Sequence, residues 1–469
     1  MFKRSLLLSS LISVAILNGC NSDNNSTPTA LESFPVTGSA LPYSVLRSDL
    51  IDFTTNNTFE VRNGGFGSAM TAHPIESNKF YAMTDRGPNA SFTGEYGSGK
   101  KFPTPDYTPR IGLFVLALNG EITLEKEILL KRPDGSPITG LPNTTALGGT
   151  GETPYNADGS PILVDPTKPY DETTNPLKLD DYGLDGEGLV ALSDGTFWVS
   201  DEYGPHIVHY DANGVEIDRI NAFPTDTRTS INLPAEFGNR WANRGMEGLA
   251  ITPDEKTLVG IMQSSLYNPT KAEVVDFTLT RIVTINLETQ EISQYIYQQD
   301  IAKNSNSEIV ALSDTQFLIL ERDGSFLYGG PSGTDAANPA AQKKVFRIDL
   351  TTGTNLESIS DGGIFTQDEA TGLLVNGNTI EQSTAEELSN AGIQILQKVE
   401  VLDMVAEVNY PHDKMEGLWL INNETLGVLN DDDFATWATG GALQQKMLDA
   451  NNIDHNQLYI IKDLNLRGE

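Results

Sequence analysis

Four glutamates recur in one setting. Glu187, Glu247, Glu308 and Glu416 each open an apolar stretch that runs to a tight turn; a second apolar stretch follows and ends in a polar cluster. The clearest copy begins Asp185-Gly186-Glu187-Gly188-Leu189, turns at Ser193-Asp194-Gly195 and ends Trp198-Val199-Ser200-Asp201-Glu202. The others end at Met262-Gln263-Ser264, Glu321-Arg322-Asp323 and Asn430-Asp431-Asp432-Asp433. A degenerate first copy, Gly67-Ser68-Ala69-Met70 followed by Thr84-Asp85-Arg86, has Ser68 in the glutamate's place. Two antiparallel strands joined by a tight turn bring the start of the first beside the end of the second. Glu187 is therefore expected near Asp201 and Glu202, and Glu308 near Glu321 and Arg322.

Carboxylates gathered in this way repel one another and hold protons unless a cation neutralises them. Hard oxygen donors without a His/Cys cluster suit calcium or magnesium, and a large, flexible ligand set favours calcium. The expected ligands are Glu187, Asp201, Glu202, Glu247, Glu308, Glu321, Glu416 and Asp431, with Asp85 and Asp432 on the same rim. The bland alternative is that each glutamate accepts backbone N–H bonds. Arg62, Arg86, Arg244, Arg322 and Lys414 flank the same strand ends. They either pair with the acids or clamp an anionic group such as phosphate. Candidate catalytic residues are Glu187, Glu247, Glu308, Glu416, Arg86, Arg244 and Arg322. His412 reads as a surface residue, with general acid as the alternative. His206 and His209 fall on opposite faces of a strand and are discounted as a metal pair. Gly94–Lys101 nearly spells a phosphate loop but lacks the final Ser/Thr and runs into Phe102-Pro103.

The glutamates must be positioned by repeated hairpins. Their spacings are 60, 61 and 108 residues. A long period with several short strands per unit predicts an all-β, closed β-propeller of about five to seven four-stranded blades, with long rim insertions and a few short helices. The glutamates would then share one central rim. The last unit lacks a fourth strand, and one of two N-terminal pieces, around Leu46–Phe53 or Thr58–Val61, is expected to supply it. Asn119-Gly120, Asn213-Gly214 and Thr352-Gly353 mark equivalent outer turns. Helices are expected at Pro234–Asn243, from the capping box at Thr384 to Gln397, and at Gly441–Asn451. Gly362–Tyr410 leaves room for a sixth unit. The insertion Gly87–Arg110 should hang over the rim.

A net charge of −33 on 469 residues disfavours nucleic acid and anionic lipid as partners. Lys3 and Arg4 precede an apolar run, Leu6–Leu17, which ends Leu17-Asn18-Gly19-Cys20. This resembles a bacterial lipoprotein signal with Cys20 as the lipidation site. Cys20 is the sole cysteine, so no internal disulfide is expected. The domain reading is signal peptide 1–19, flexible tether 20–40 and propeller 41–469. Asn21 after the cysteine resembles outer-membrane sorting, facing the periplasm or the exterior. A monomer is expected, attached to the membrane through its lipid alone and acting on a small anionic or ester substrate.

The phrases Asp185-Gly-Glu-Gly-Leu, Arg244-Gly-Met-Glu-Gly-Leu and Lys414-Met-Glu-Gly-Leu, with Trp198-Val-Ser-Asp-Glu-Tyr and Asn430-Asp-Asp, resemble the phytase-like (esterase-like activity of phytase) family. The resemblance runs from about Leu41 to the C-terminus. It implies a secreted β-propeller whose acidic residues serve phosphoester hydrolysis, with Glu187, Asp201, Glu202, Glu247, Glu308 and Glu416 matching. Ser68 and Gln263 depart from a symmetric acidic ring. Two readings stand beside a metal-dependent phosphoester hydrolase: a non-catalytic binding propeller with structural calcium, and a metal-dependent lactonase or carboxylester hydrolase.

Overall fold

The computed structural model describes residues 34–331 and 337–468. Cys20, the 1–19 signal and the tether as far as residue 33 lie outside the described residues. Among the described residues the fold is all-β with few and short helices.

Five antiparallel sheets form the body. Sheet 1 comprises Ala69–Ala72, Lys79–Met83, Arg110–Leu116 and Ile122–Leu129. Sheet 2 comprises Gly186–Ala191, Phe197–Asp201, His206–Tyr210 and Glu216–Asn221, with Thr229–Asn232 added in parallel at its outer edge. Sheet 3 is Met246–Ile251, Thr257–Met262, Leu279–Asn286 and Ile292–Gln298. Sheet 4 is Ser305–Ala311, Gln316–Arg322, Lys343–Asp349 and Lys398–Asp403. Sheet 5 is Gly417–Asn422, Thr425–Leu429, Gln457–Ile461 and, from the other end of the chain, Ser39–Ala40.

Aliphatic and aromatic side chains on both faces of each sheet explain the packing. One apolar cluster lies between each consecutive pair. Leu189 and Val199 of sheet 2 meet Met83 and Ile111 of sheet 1. Trp198 meets Leu249 and Val283 of sheet 3, Ile261 meets Ile309 and Phe317 of sheet 4, and Leu320 meets Leu418 and Val428 of sheet 5. Trp419 and Leu458 of sheet 5 then pack on Phe80 and Phe114 of sheet 1. The packing order is therefore cyclic. Second strands are covered on both sides, which is why Thr425–Leu429 is buried throughout and reads as a continuous apolar run rather than an alternation.

The N-terminal segment does complete the last sheet, through different residues than expected. Ser39 and Ala40 pair with Leu458 and Gln457, and they fall within the stretch 20–40 read as a tether. Ser44–Ile51 and Thr58–Asn63 pair with each other as a separate hairpin. Gly362–Tyr410 is no sixth unit. It holds a small sheet, Phe365–Asp368 with Gly372–Val375 and Asn378–Thr379, then the helix Ala385–Asn390, and ends by supplying the fourth strand of sheet 4. Thr352-Gly353 is accordingly not a hairpin turn, because the chain leaves the sheet there in a 3-10 turn. The capping box at Thr384 is present, but its helix stops at Asn390, before Gly392 with φ +89°. Pro234–Asn243 contains only a 3-10 turn, Ala235–Asn239. Gly441–Asn451 is not helical: Ala442–Gln445 pairs with Thr436–Thr439 as a hairpin. The insertion Gly87–Arg110 also contains a hairpin, Ala90–Gly94 with Gly97–Phe102.

Candidate functional site

The register of each inner hairpin decides which side chains meet at its end. Glu187 is skipped by the ladder between Gly186, opposite Asp201, and Gly188, opposite Ser200. Glu247 is skipped in the same way between Met246 and Gly248. Each glutamate occupies a β-bulge, where an extra residue leaves the pairing and its side chain is re-aimed. In sheet 4 the skipped residue is Ser307, and Glu308 is paired with Leu320. Glu308 thus stands one place further on, where sheets 2 and 3 have Gly188 and Gly248.

That slip removes Glu308 from the rim. Its carboxylate turns into the centre, accepts from the backbone of Ile309 at 2.9 Å and of Leu249 at 3.4 Å, and is fully buried. Burial pushes its pKa well above the ordinary glutamate value. The backbone-capping reading holds for this residue. Ser307 takes the glutamate's place and donates to Glu247 at 3.1 Å.

Strand alternation sorts the second-strand ends. Glu202, Gln263 and Arg322 reach the cavity together with Asp85. Their neighbours Asp201 and Glu321 point sideways. Asp201 accepts from the backbone of His206 and Gly204 at 2.8 and 3.1 Å, and burial pushes it up to about 6. Glu321 accepts from Tyr297 Oη, Asp300 N and Asn304 Nδ2 and pairs with Lys398 at 2.8 Å. Asp431 lies behind the cavity wall, paired with Lys414 at 2.7 Å, and Asp432 caps the turn at Phe434. Glu308, Asp201, Glu321 and Asp431 are therefore not among the cavity's lining residues.

The cavity measures about 410 Å³. Glu187, Glu247 and Glu416 line it, as do Glu202, Asp85, Asp413 and Asp433. Carboxylate oxygens of Asp85, Asp185 and Glu187 all lie within 4.8 Å of one another. Asp85 and Glu187 are pushed well above their ordinary values by burial first, then by neighbouring carboxylates: Asp431 and Asp185 for Asp85, Asp185 and Glu202 for Glu187. Burial also raises Asp185, opposed by the Arg86 charge. Glu416 is pushed up to about 8 by burial, against the opposing charges of Lys414 and Arg322. Asp185 Oδ2 is buried and meets Arg86 at 2.9 Å as its ion-pair partner. Three converging hard oxygen donors fit a divalent cation of the calcium or magnesium type.

Five cations face these acids: Arg86, Lys100, Arg244, Arg322 and Lys414. Arg86 is held by Glu152 at 3.1 Å, Asn243 at 2.6 Å and Asp185. Arg322 donates to Ser307 at 3.0 Å, Glu247 at 3.3 Å and Glu416. Lys414 pairs with Asp431 and with Asp433 at 2.8 Å. Arg244 donates to Ser264 at 2.8 Å and lies over the Trp241 ring. Arg62 is elsewhere, beside Glu60 and the Tyr43 ring. His412 is no surface residue. It is fully buried between Asp454 at 2.7 Å and Tyr459 Oη at 3.0 Å. His206 and His209 have separate partners, Asn221 and Thr196.

The two insertion hairpins roof the cavity. Ser91 and Lys100 come from the sheet 1 insertion, and Thr436 and Trp437 from the sheet 5 insertion. Lys101 joins the hairpins by donating to Gly441 O at 2.9 Å.

The family described as phytase-like, esterase-like activity of phytase, matches residues 61–434. The chain belongs to the phytase-like family. An uncharacterized secreted protein of Arthroderma benhamiae is 30% identical over 247 residues, 44% of this chain and 46% of that one, so the match spans about half of the relative's length. Among solved structures, a protein from Lactobacillus plantarum shares 10% identity over 88% of this chain and 94% of its own, with a TM-score of 0.32. A streptogramin B lyase shares 13% over 85% and 94%, with a TM-score of 0.28. Likenesses at these TM-scores say nothing of activity or substrate.

Four charged residues of this phytase-like site stand outside the set expected from the repeats: Asp185, Lys100, Asp413 and Asp433. Asp185 was visible as the acid two places before Glu187, just outside the strand Gly186–Ala191. Lys100 lies in the insertion Gly87–Arg110, which was expected over the rim and does line the cavity, but nothing in the sequence singled out this lysine within it.

Proposed function

We propose that this phytase-like protein is a metal-dependent hydrolase of phosphoesters, built on a closed five-bladed β-propeller. The observation that carries the reading is the Asp85–Asp185–Glu187 cluster, of which Asp85 and Glu187 line a cavity that also presents five cations. Asp85, Asp185 and Glu187 would hold the metal, with calcium the expected ion. Bound there, a divalent cation polarises a phosphoryl oxygen and lowers the pKa of bound water. The chain's own groups do the rest. Cavity cations offset the substrate's charge. Glu416, which burial pushes up to about 8, would protonate a leaving alkoxide. Among the described residues, one lining aromatic, Trp437, against five cations favours an anionic substrate over a neutral lactone or carboxylester. We further propose a cell-envelope location through lipid on Cys20, in the outer membrane; the named relative is secreted.

The deciding assay uses the purified full chain, stripped of metal, with p-nitrophenyl phosphate and bis-p-nitrophenyl phosphate. Calcium-dependent release that disappears in Asp85→Asn and Glu187→Gln supports the reading. Absence of release on both esters with calcium, magnesium or manganese overturns it.

A further inference from the structure

We infer that Lys100 and Arg244 form a dedicated oxyanion site in the cavity, taking the tetrahedral anionic group of the substrate, a phosphoryl or a sulfuryl. The chemical role rests on the hydrolase reading; the binding itself does not.

Elimination among the five lining cations leaves these two. Three already have carboxylate partners: Arg86 in Glu152 and Asp185, Arg322 in Glu247 and Glu416, and Lys414 in Asp431 and Asp433. Among the described residues, Lys100 and Arg244 have none. Lys100 Nζ has Ser91 Oγ at 3.4 Å, and Arg244 has the Ser264 hydroxyl and the face of Trp241. Both side chains are half-buried, and even partial withdrawal of a charge from water without a counter-ion is unfavourable. Burial accordingly pulls both residues' pKa values down, that of Lys100 further lowered by the nearby Arg86.

Their placement fits a two-sided grip. Lys100 comes from the roof hairpin of sheet 1, and Arg244 from the approach to sheet 3. Both line the same cavity as Asp85 and Glu187. An anion between them would be met by a point-charge ammonium and a planar guanidinium, whose fork matches two oxygens of a tetrahedral group. The Trp241 ring and Ser264 hold that guanidinium in place before any ligand arrives. Nearby Glu202 and Glu247 oppose an anion less than their number implies, because burial raises both.

Isothermal titration of the metal-stripped full chain with inorganic phosphate, and separately with sulfate, tests the site. Lys100→Gln and Arg244→Gln should each weaken phosphate binding about tenfold or more, the effect of removing one charge-assisted contact. Arg244→Lys should recover part of the loss. Lys168→Gln, an equal change of net charge on the exposed surface, should leave binding unchanged. Matching losses for sulfate assign the site to any tetrahedral oxyanion, and losses for phosphate alone narrow it to phosphoryl groups. Unchanged affinity in both glutamine variants, or no binding of either anion, overturns the site. Calcium-dependent turnover with an unaltered KM in Lys100→Gln would sink this site while leaving the hydrolase reading standing. Variant-sensitive phosphate binding without turnover would do the reverse.

Discussion

Arg322 of sheet 4 reaches Glu247 of sheet 3 at 3.3 Å, and the same terminal nitrogen also meets Glu416 of sheet 5. One guanidinium thus ties the inner ends of three sheets together, and both glutamates keep a buried second oxygen without a partner. The wall of the cavity is held by a cation shared between two acids that repel each other.

Arg322→Met leaves both carboxylates buried and unpaired. Breaking a buried ion pair from one side costs about 3–5 kcal/mol. Urea unfolding at pH 9 in chelator should show a loss of that order, and a smaller one at pH 5, where both acids hold protons. A loss below about 1 kcal/mol at pH 9 would mean that the three sheets are not joined through this residue.

Calcium should raise the melting temperature of the stripped protein, and Asp85→Asn, Asp185→Asn and Glu187→Gln should each abolish most of that rise. Glu308→Gln should keep it, since Glu308 accepts from the Ile309 and Leu249 backbone and is not a member of the cluster. Thermal unfolding with and without calcium reads both. A response lost with Glu308 and kept with Asp85 would move the metal away from the proposed cluster.

Metal-free stability should fall as pH rises. A carboxyl whose folded pKa lies above its unfolded value binds more protons folded than unfolded. Its stabilising contribution is complete below the unfolded value and lost through the folded one. For Glu416 that window runs from 4.5 to about 8, and Glu187, Asp85 and Glu202 shift in the same direction. Unfolding free energy in chelator should drop by about 3 kcal/mol or more between pH 5 and 8.5, and calcium should flatten the slope. Stability that rises over this range without metal would contradict the raised values.

Glu308→Gln should change stability by less than about 1 kcal/mol at pH 7, because the amide keeps the oxygen that accepts from Ile309 and Leu249 and carries no charge into the buried centre. Glu308→Ala, which leaves those N–H groups unmet and opens a cavity, should cost about 2 kcal/mol or more. Equal losses for the two variants would show that the charge, rather than the acceptor, is what the fold requires.

The sequence by itself determined the repeat: apolar hairpins whose turns, strand ends and acidic clusters recur, and the missing strand that only another part of the chain could supply. It also held the clue to Glu308. The spacings of 60 and 61 differ by one residue, and that residue is the slip that puts Ser307 in the glutamate's place. The phrase differs there too, since Glu308 is followed by Ile309 where Glu187, Glu247 and Glu416 are followed by glycine; the side chain's direction is then set by the ladder register, which a bulge moves by one. Tertiary structure alone decided which carboxylates converge. Asp85 and Glu187 lie about a hundred residues apart on different sheets and meet only because sheets 1 and 2 pack side by side. The roof was legible in part: the insertion Gly87–Arg110 was expected over the rim, whereas only the tertiary structure brings Trp437 of a second, unrelated insertion to the same cavity, the two joining at Lys101 and Gly441.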